Sequence, residues 1–197
     1  MNLPNILTVL RIILTFVFMY FLFHAGVFSK FMAIFIFFLA SLTDYWDGYL
    51  ARKNNLVTNF GKLMDPLADK ILVLAGFIAF VEMGLVPSWM VIIILARELL
   101  ITGIRIVALT NGTIIPAMRA GKHKAVSQFL VIILTLIFIF IREILMKNEQ
   151  WSSFWDTILH TTVFWMFLLV TFITLFSGIN FLYHNRSYLY NRVKKKA

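Results

Sequence analysis

The chain has 197 residues, 61% of them hydrophobic and 16% aromatic, with no cysteine and a formal charge of +9, and its mean hydropathy is +0.88. One soluble core cannot hide that much apolar surface, so a purely water-soluble domain is excluded and lipid has to solvate the chain. Disulfides and zinc–thiolate centres are excluded with the cysteines.

Six apolar runs, each near the ~20 residues that cross a ~30 Å hydrocarbon layer as a helix, fall at 5–25, 30–52, 62–83, 87–110, 121–146 and 155–183. The expected fold is therefore an all-α integral membrane bundle of six transmembrane helices. No internal repeat or Gly/Ser spacer interrupts the pattern, so residues 1–197 read as a single membrane-embedded domain. Pro4 suits a first helical turn with Asn2 as its cap. The first run has a thin basic lead, and "FHAGVFSK" offers no small-x-small cleavage pattern, so it reads as a membrane helix rather than a secretory signal. "RKNNLVTNFG" has the composition of a turn between the second and third runs. Pro87 and Ser88 open the fourth run, and Pro116 belongs to the loop before the fifth.

The distribution of the positive charge decides its meaning. The segments after the second, fourth and sixth runs hold Arg52, Lys53 and Lys62, then Arg119, Lys122 and Lys124, then Arg186, Arg192, Lys194, Lys195 and Lys196. The opposite side has Lys30, none between Glu82 and Trp89, and Arg142 with Lys147. By the positive-inside rule, both termini and the stretch between the second and third runs face the cytoplasm, and no nucleic-acid partner is needed to explain the basicity. Trp89, Trp151 and Trp155 fall at the other ends of the runs, where interfacial indoles gather. The terminal "RVKKKA" is either a headgroup-binding or a solvated tail.

Four of the five aspartates lie in residues 44–69. On a helix Asp44 and Asp47 share a face, as do Asp65 and Asp69, and Gly48, Ala51 and Gly61 lie in register with them, leaving room for a ligand or a neighbouring backbone. Four carboxylates at a membrane edge repel one another and are costly to desolvate, so cations should hold them together. Two divalent ions balance the charge, and an all-oxygen donor set favours magnesium or manganese over zinc. A solvated acidic rim, with Asp44 paired to Arg52, is the plainer alternative, and a cation or proton pathway is another. His24, His123, His160 and His184 are scattered without ligand spacing.

Residues 44–69 read D-x-x-D-G-x-x-A-R-x8-G-x-x-x-D-x-x-x-D, which resembles the signature of the CDP-alcohol phosphatidyltransferases, and the six runs agree with that family along the chain. The resemblance implies transfer of a phosphatidyl group from a CDP-linked lipid to an alcohol, with release of CMP and with two metal ions, Mg2+ or Mn2+. It implies that Asp44, Asp47 and Asp65 hold one ion and that Asp44, Asp65 and Asp69 hold the other, with Asp69 as general base. It further implies that Gly48, Ala51, Arg52 and Thr58 line the nucleotide, joined by Asn5 from the opening "NLPNILTVLRI". A homodimer in the bacterial cytoplasmic membrane, with a site in each protomer, is implied as well.

The acceptor must be read elsewhere. "ARELLITGIR" puts Arg97, Glu98 and Arg105 on the fourth run, and "MRAGKHKA" puts Arg119, Lys122 and Lys124 at the mouth of the fifth. Fixed cations near a metal site suit an acceptor that is itself a phosphate. The alternative is that Arg97 and Arg105 only pair with Glu98 while the lysines set topology. These stretches resemble family members whose acceptor is glycerol 3-phosphate and whose lipid donor is CDP-diacylglycerol. Those members carry a hydroxyl residue where this chain has Ala125. Phosphatidylglycerol, inositol phosphate and serine are the competing acceptors. Arg11 is read either with the same opening motif or as a side chain snorkelling to the interface.

Overall fold

The computed structural model describes the backbone of residues 3–54, 59–110 and 119–186, and the side chains of residues 9–43, 70–110 and 124–186. Within the described residues there are six α-helices and no strand: α1 (Leu3–Phe23), α2 (Val27–Asn54), α3 (Asn59–Glu82), α4 (Ser88–Thr110), α5 (Arg119–Lys147) and α6 (Ser153–His184). Each helix coincides with one expected run, and no end differs by more than three residues. Pro4 does sit in the first turn of α1, and the Pro87 carbonyl accepts from the Met90 N–H at 3.1 Å as α4 begins. Thr58, Pro116 and the "RVKKKA" tail lie outside the described residues.

The packing is mostly between neighbours in two groups. Helix α1 packs on α2 and α3, α6 packs on α4 and α5, and α2 against α5 joins the groups. The seams are aromatic. Phe18 of α1 meets Phe37 of α2 at a centroid distance of 5.5 Å, and Phe37 stacks on Phe129 of α5 at 5.5 Å. Across the other seam, Phe77 and Phe80 of α3 present edges to Phe167 of α6 at 5.2 and 6.0 Å. Such pairs add a directional preference to the area they bury.

Many large apolar side chains face outward. Phe16 is 72% exposed and Phe176 is 73% exposed, and Phe28, Leu99, Trp165 and Ile179 also face outward. Exposed apolar cover on this scale is stable only against another apolar phase, and here that phase is lipid. Two stretches, Lys124–Lys147 and Ser153–His184, are long and apolar enough to cross a bilayer, with shorter apolar helices at Val9–Phe23 and Val27–Thr43. The chain is a membrane protein.

Three turns are held by backbone-directed bonds. Gly84, at φ +70°, closes α3: its N–H donates to the Val81 carbonyl and the Leu85 N–H to the Phe80 carbonyl, both at 2.9 Å. This paired pattern satisfies carbonyls that a helix end leaves without partners and needs a left-handed residue, which glycine supplies without strain. The α5 end is finished in the same way by Glu149. Between α1 and α2, the Lys30 ammonium donates to the carbonyls of Leu22 at 2.6 Å and His24 at 2.9 Å, while the Gly26 N–H donates to the Glu143 carboxylate at 2.6 Å. One lysine thus caps α1, and one glutamate of α5 fixes the turn.

Candidate active site

Both aspartate pairs lie on helix. Asp44 and Asp47, with Gly48, Ala51 and Arg52, are carried by the last part of α2; Asp65 and Asp69 are carried by the first part of α3. Their side chains lie outside the described residues, as do those of Asn5 on α1 and of Arg119 and Lys122 on α5. What the structure does define is the ground directly beside them. Ala40 and Ser41 precede Asp44 by four and three residues, and Leu72 and Val73 follow Asp69 by three and four, so they share helix faces with those aspartates. All four line a cavity of about 340 Å³.

Polar groups enter this cavity from five helices: Arg11 from α1, Ser41 from α2, Lys70 from α3, Glu98 from α4, and Lys124 with Gln128 from α5. The rest of the wall is largely apolar, formed by side chains such as Phe77, Ile94 and Phe129. Arg11 is only 2% exposed. It therefore faces the interior rather than snorkelling to the interface, which removes that alternative.

Glu98 is the hub. Its carboxylate accepts from Arg97 Nη1 at 2.9 Å, accepts a hydrogen bond from the Lys124 ammonium, and lies 3.7 Å from Lys70 Nζ. Lys70 also donates to the Thr102 hydroxyl, and Arg97 Nη2 donates to Ser177 Oγ of α6 at 2.9 Å. Three cations from α3, α4 and α5 thus share one buried carboxylate. A buried carboxylate must be paired and hydrogen-bonded to be tolerable, and this one is more than neutralised. Beside Arg97, helix α6 comes so close that a Cβ on Gly178 would stand 3.0 Å from Arg97 Cγ. A side chain there would make Arg97 give way by a few tenths of an ångström.

Of the expected acceptor-site residues with described side chains, the structure brings Arg97 and Lys124 together on Glu98. Arg105 stands apart, with its guanidinium 5.3 Å from the centre of the Phe181 ring. Lys70, Thr102, Gln128, Ser177 and Gly178 are additions that sequence reading did not pick out. Lys70 carried a signal, as a cation directly after Asp69 at the head of an apolar run; Gln128 did too, one turn after Lys124 on the same face of α5.

Among the described residues no three His, Cys, Asp or Glu side chains gather as metal ligands. The four aspartates of α2 and α3 offer an all-oxygen donor set, which suits a hard divalent ion.

Residues 1–174 fit the sequence pattern of the CDP-alcohol phosphatidyltransferase family. Over 97 residues, 49% of this chain and 50% of the relative, the sequence is 50% identical to the CDP-diacylglycerol–glycerol-3-phosphate 3-phosphatidyltransferase of Bacillus subtilis strain 168. The protein of the same name from Rickettsia typhi is 37% identical over 136 residues, 69% of this chain and 76% of the relative. A probable phosphatidylglycerophosphate synthase of Mycobacterium tuberculosis H37Rv is 40% identical over 134 residues, 66% of this chain and 64% of the relative. The match thus spans half the length of the Bacillus protein and about three quarters of the Rickettsia one.

Proposed function

Because the chain belongs to the CDP-alcohol phosphatidyltransferase family, we propose that it transfers the phosphatidyl group of CDP-diacylglycerol to glycerol 3-phosphate, forming phosphatidylglycerophosphate and CMP. The observation that carries the acceptor assignment is the charge of the cavity beside the aspartate helices. Among the described side chains, Arg11, Lys70 and Lys124 line it beside the carboxylate of Glu98, a lining rich in cations. A phosphomonoester carries about −1.5 to −2 at neutral pH and suits a cation-rich lining. Serine, a zwitterion with no net charge, and phosphatidylglycerol, a phosphodiester with one negative charge, would match it less well. The size agrees: about 340 Å³ is at the small end of ligand sites, which run to roughly 1,000 Å³.

The reaction joins the acceptor's primary hydroxyl oxygen to the phosphorus that bears diacylglycerol. The bond from that phosphorus to the CMP oxygen breaks, CMP leaves, and the hydroxyl proton is released. Asp69 takes that proton, and its neighbour Lys70 already lines the cavity in which the acceptor sits. Asp44, Asp47, Asp65 and Asp69 would hold the divalent ions, Mg2+ or Mn2+. When bound, such ions neutralise the charge that builds on the diphosphate and on the attacking oxygen. Gly48, Ala51, Arg52 and Thr58 receive the nucleotide, with Asn5 from α1. Arg97 holds Glu98 from one side and thereby sets where Lys124 and Lys70 stand. Arg105, Arg119 and Lys122 extend the positive approach towards the cytoplasm, the side on which the positive-inside rule puts this end of the bundle. We read the assembly as a homodimer in the bacterial cytoplasmic membrane, with both termini inside.

Purified protein in detergent should release CMP only when CDP-diacylglycerol, glycerol 3-phosphate and a divalent ion are all present, and chelation should stop it. Faster CMP release with inositol phosphate, serine or phosphatidylglycerol in a side-by-side panel would replace the acceptor. CMP release indifferent to chelation would remove the mechanism. The absence of native cysteine makes topology directly testable. In intact cells an impermeant maleimide should label Glu149→Cys and leave Lys196→Cys untouched; the reverse pattern inverts the orientation.

A further inference from the structure

One polar group of the cavity wall has no task in the reaction described so far. Gln128 lies one turn after Lys124 on α5, borders the cavity and is only 5% exposed, and its Nε2 has no hydrogen-bond partner. Burying an amide N–H without a partner is costly, and native proteins keep such groups mainly where something else supplies the partner. The neighbouring wall residues Phe129 and Ile94 are apolar and cannot do so. The cations of the cavity are better phosphate ligands than a neutral amide, because charge-assisted bonds are the stronger ones. A carboxamide, which both donates and accepts, is instead matched to a hydroxyl. Its terminal torsion is soft, so either end can turn towards a ligand.

We infer that Gln128 hydrogen-bonds the acceptor's non-reacting hydroxyl, the C2 hydroxyl of glycerol 3-phosphate, and is a specificity-determining residue for the acceptor. The assignment rests on the acceptor reading above. It gives the cavity a division of labour: Lys70, Lys124 and Arg11 meet the phosphate, and Gln128 reads the polyol. A site built to bond a substrate hydroxyl rejects an analogue lacking it, because the buried amide is then left unpaired.

The test compares glycerol 3-phosphate with 3-hydroxypropyl phosphate, which keeps the attacking hydroxyl and the phosphate but lacks the C2 hydroxyl. Wild-type protein should prefer glycerol 3-phosphate in kcat/KM by about tenfold or more. In Gln128→Met, which keeps the length and loses the amide, kcat/KM for glycerol 3-phosphate should fall about three- to tenfold, while that for the analogue stays within about twofold, so the preference collapses. Equal use of the two acceptors by the wild type overturns the inference and leaves the acceptor assignment standing; that arm needs no variant to fold. An equal loss on both acceptors in Gln128→Met also overturns it, since a packing role would act on both alike. If the wild type transfers to another acceptor but not to glycerol 3-phosphate, the acceptor reading falls and takes the inference with it.

Discussion

At the end of the bundle formed by the Gly26 turn, charged groups close on partners and stop there. Lys30 is spent on two carbonyls of α1, Glu143 on the Gly26 N–H, and Arg142 on Asp156 at 3.3 Å. At the Glu98 end, three cations converge on one carboxylate beside a cavity, and an amide in its wall lacks a partner. Both ends are ionic and partly buried, and both keep a buried side-chain nitrogen without a partner, Arg142 Nε at one and Gln128 Nε2 at the other, yet only the Glu98 end gathers three cations on one carboxylate beside a cavity. Ion pairs that balance fasten helices together; a group that does not balance is what a ligand completes.

The sharpest way to break this comparison is at the hub. Glu98→Gln keeps the shape and removes the carboxylate that, among the described residues, holds Lys70, Arg97 and Lys124 together. Removing one member of a buried ionic group costs about 3–5 kcal/mol, because the remaining charges stay buried without compensation. Denaturant unfolding in detergent should show that loss, and glycerol 3-phosphate should restore part of it by supplying the missing negative charge. A loss below ~1 kcal/mol, or no rescue by the acceptor, would mean that these cations are met by something other than the ligand.

Lys30→Met applies the same operation to the other end. It strips two charge-assisted bonds from the last carbonyls of α1, at about 1.5–3 kcal/mol for a hydrogen bond to a charged group. Stability should fall while the KM for glycerol 3-phosphate stays within about twofold, because Leu22 and His24, whose carbonyls Lys30 serves, are not among the residues lining the cavity. A large KM change would show that the two ends are coupled and that fastening and binding are not separate tasks.

Legibility from sequence follows the same division. The six helices could be read because each apolar run has the length a bilayer demands, and the long ends of α2 and α3 because the aspartates keep helical spacing beyond the apolar part. The aspartate signature itself was plain, being local in sequence. The Glu98 hub was legible only in part. Arg97 and Glu98 are adjacent, but Lys70 and Ser177 join them from α3 and α6. A lone polar residue in an apolar run carries no period that says which helix it will meet. Packing alone decided that Arg97 enters the hub while Arg105 lies on Phe181. Arg11 shows the same limit, since sequence could not choose between an interfacial and a buried arginine, and the cavity did.

The smallest effect is expected at Asp156, in the first turn of α6. Its carboxylate pairs with Arg142 at 3.3 Å and with His160 at 3.8 Å, and accepts from Trp151 Nε1 at 3.3 Å, but Arg142 and Asp156 are each about one third exposed. Solvent screening limits such a pair to about 0.2–1 kcal/mol. Asp156→Asn keeps an acceptor for the indole and loses the charge at the helix start, itself worth a few tenths of a kcal/mol. The deficit should therefore stay below about 1.5 kcal/mol and shrink as salt is raised, since exposed charges are screened within ~10 Å at 0.1 M. Set against Glu98→Gln, the ratio of the two losses measures how far burial, rather than the number of ion pairs, separates a site from a fastening; comparable losses would leave the two ends of the bundle with no energetic difference to explain.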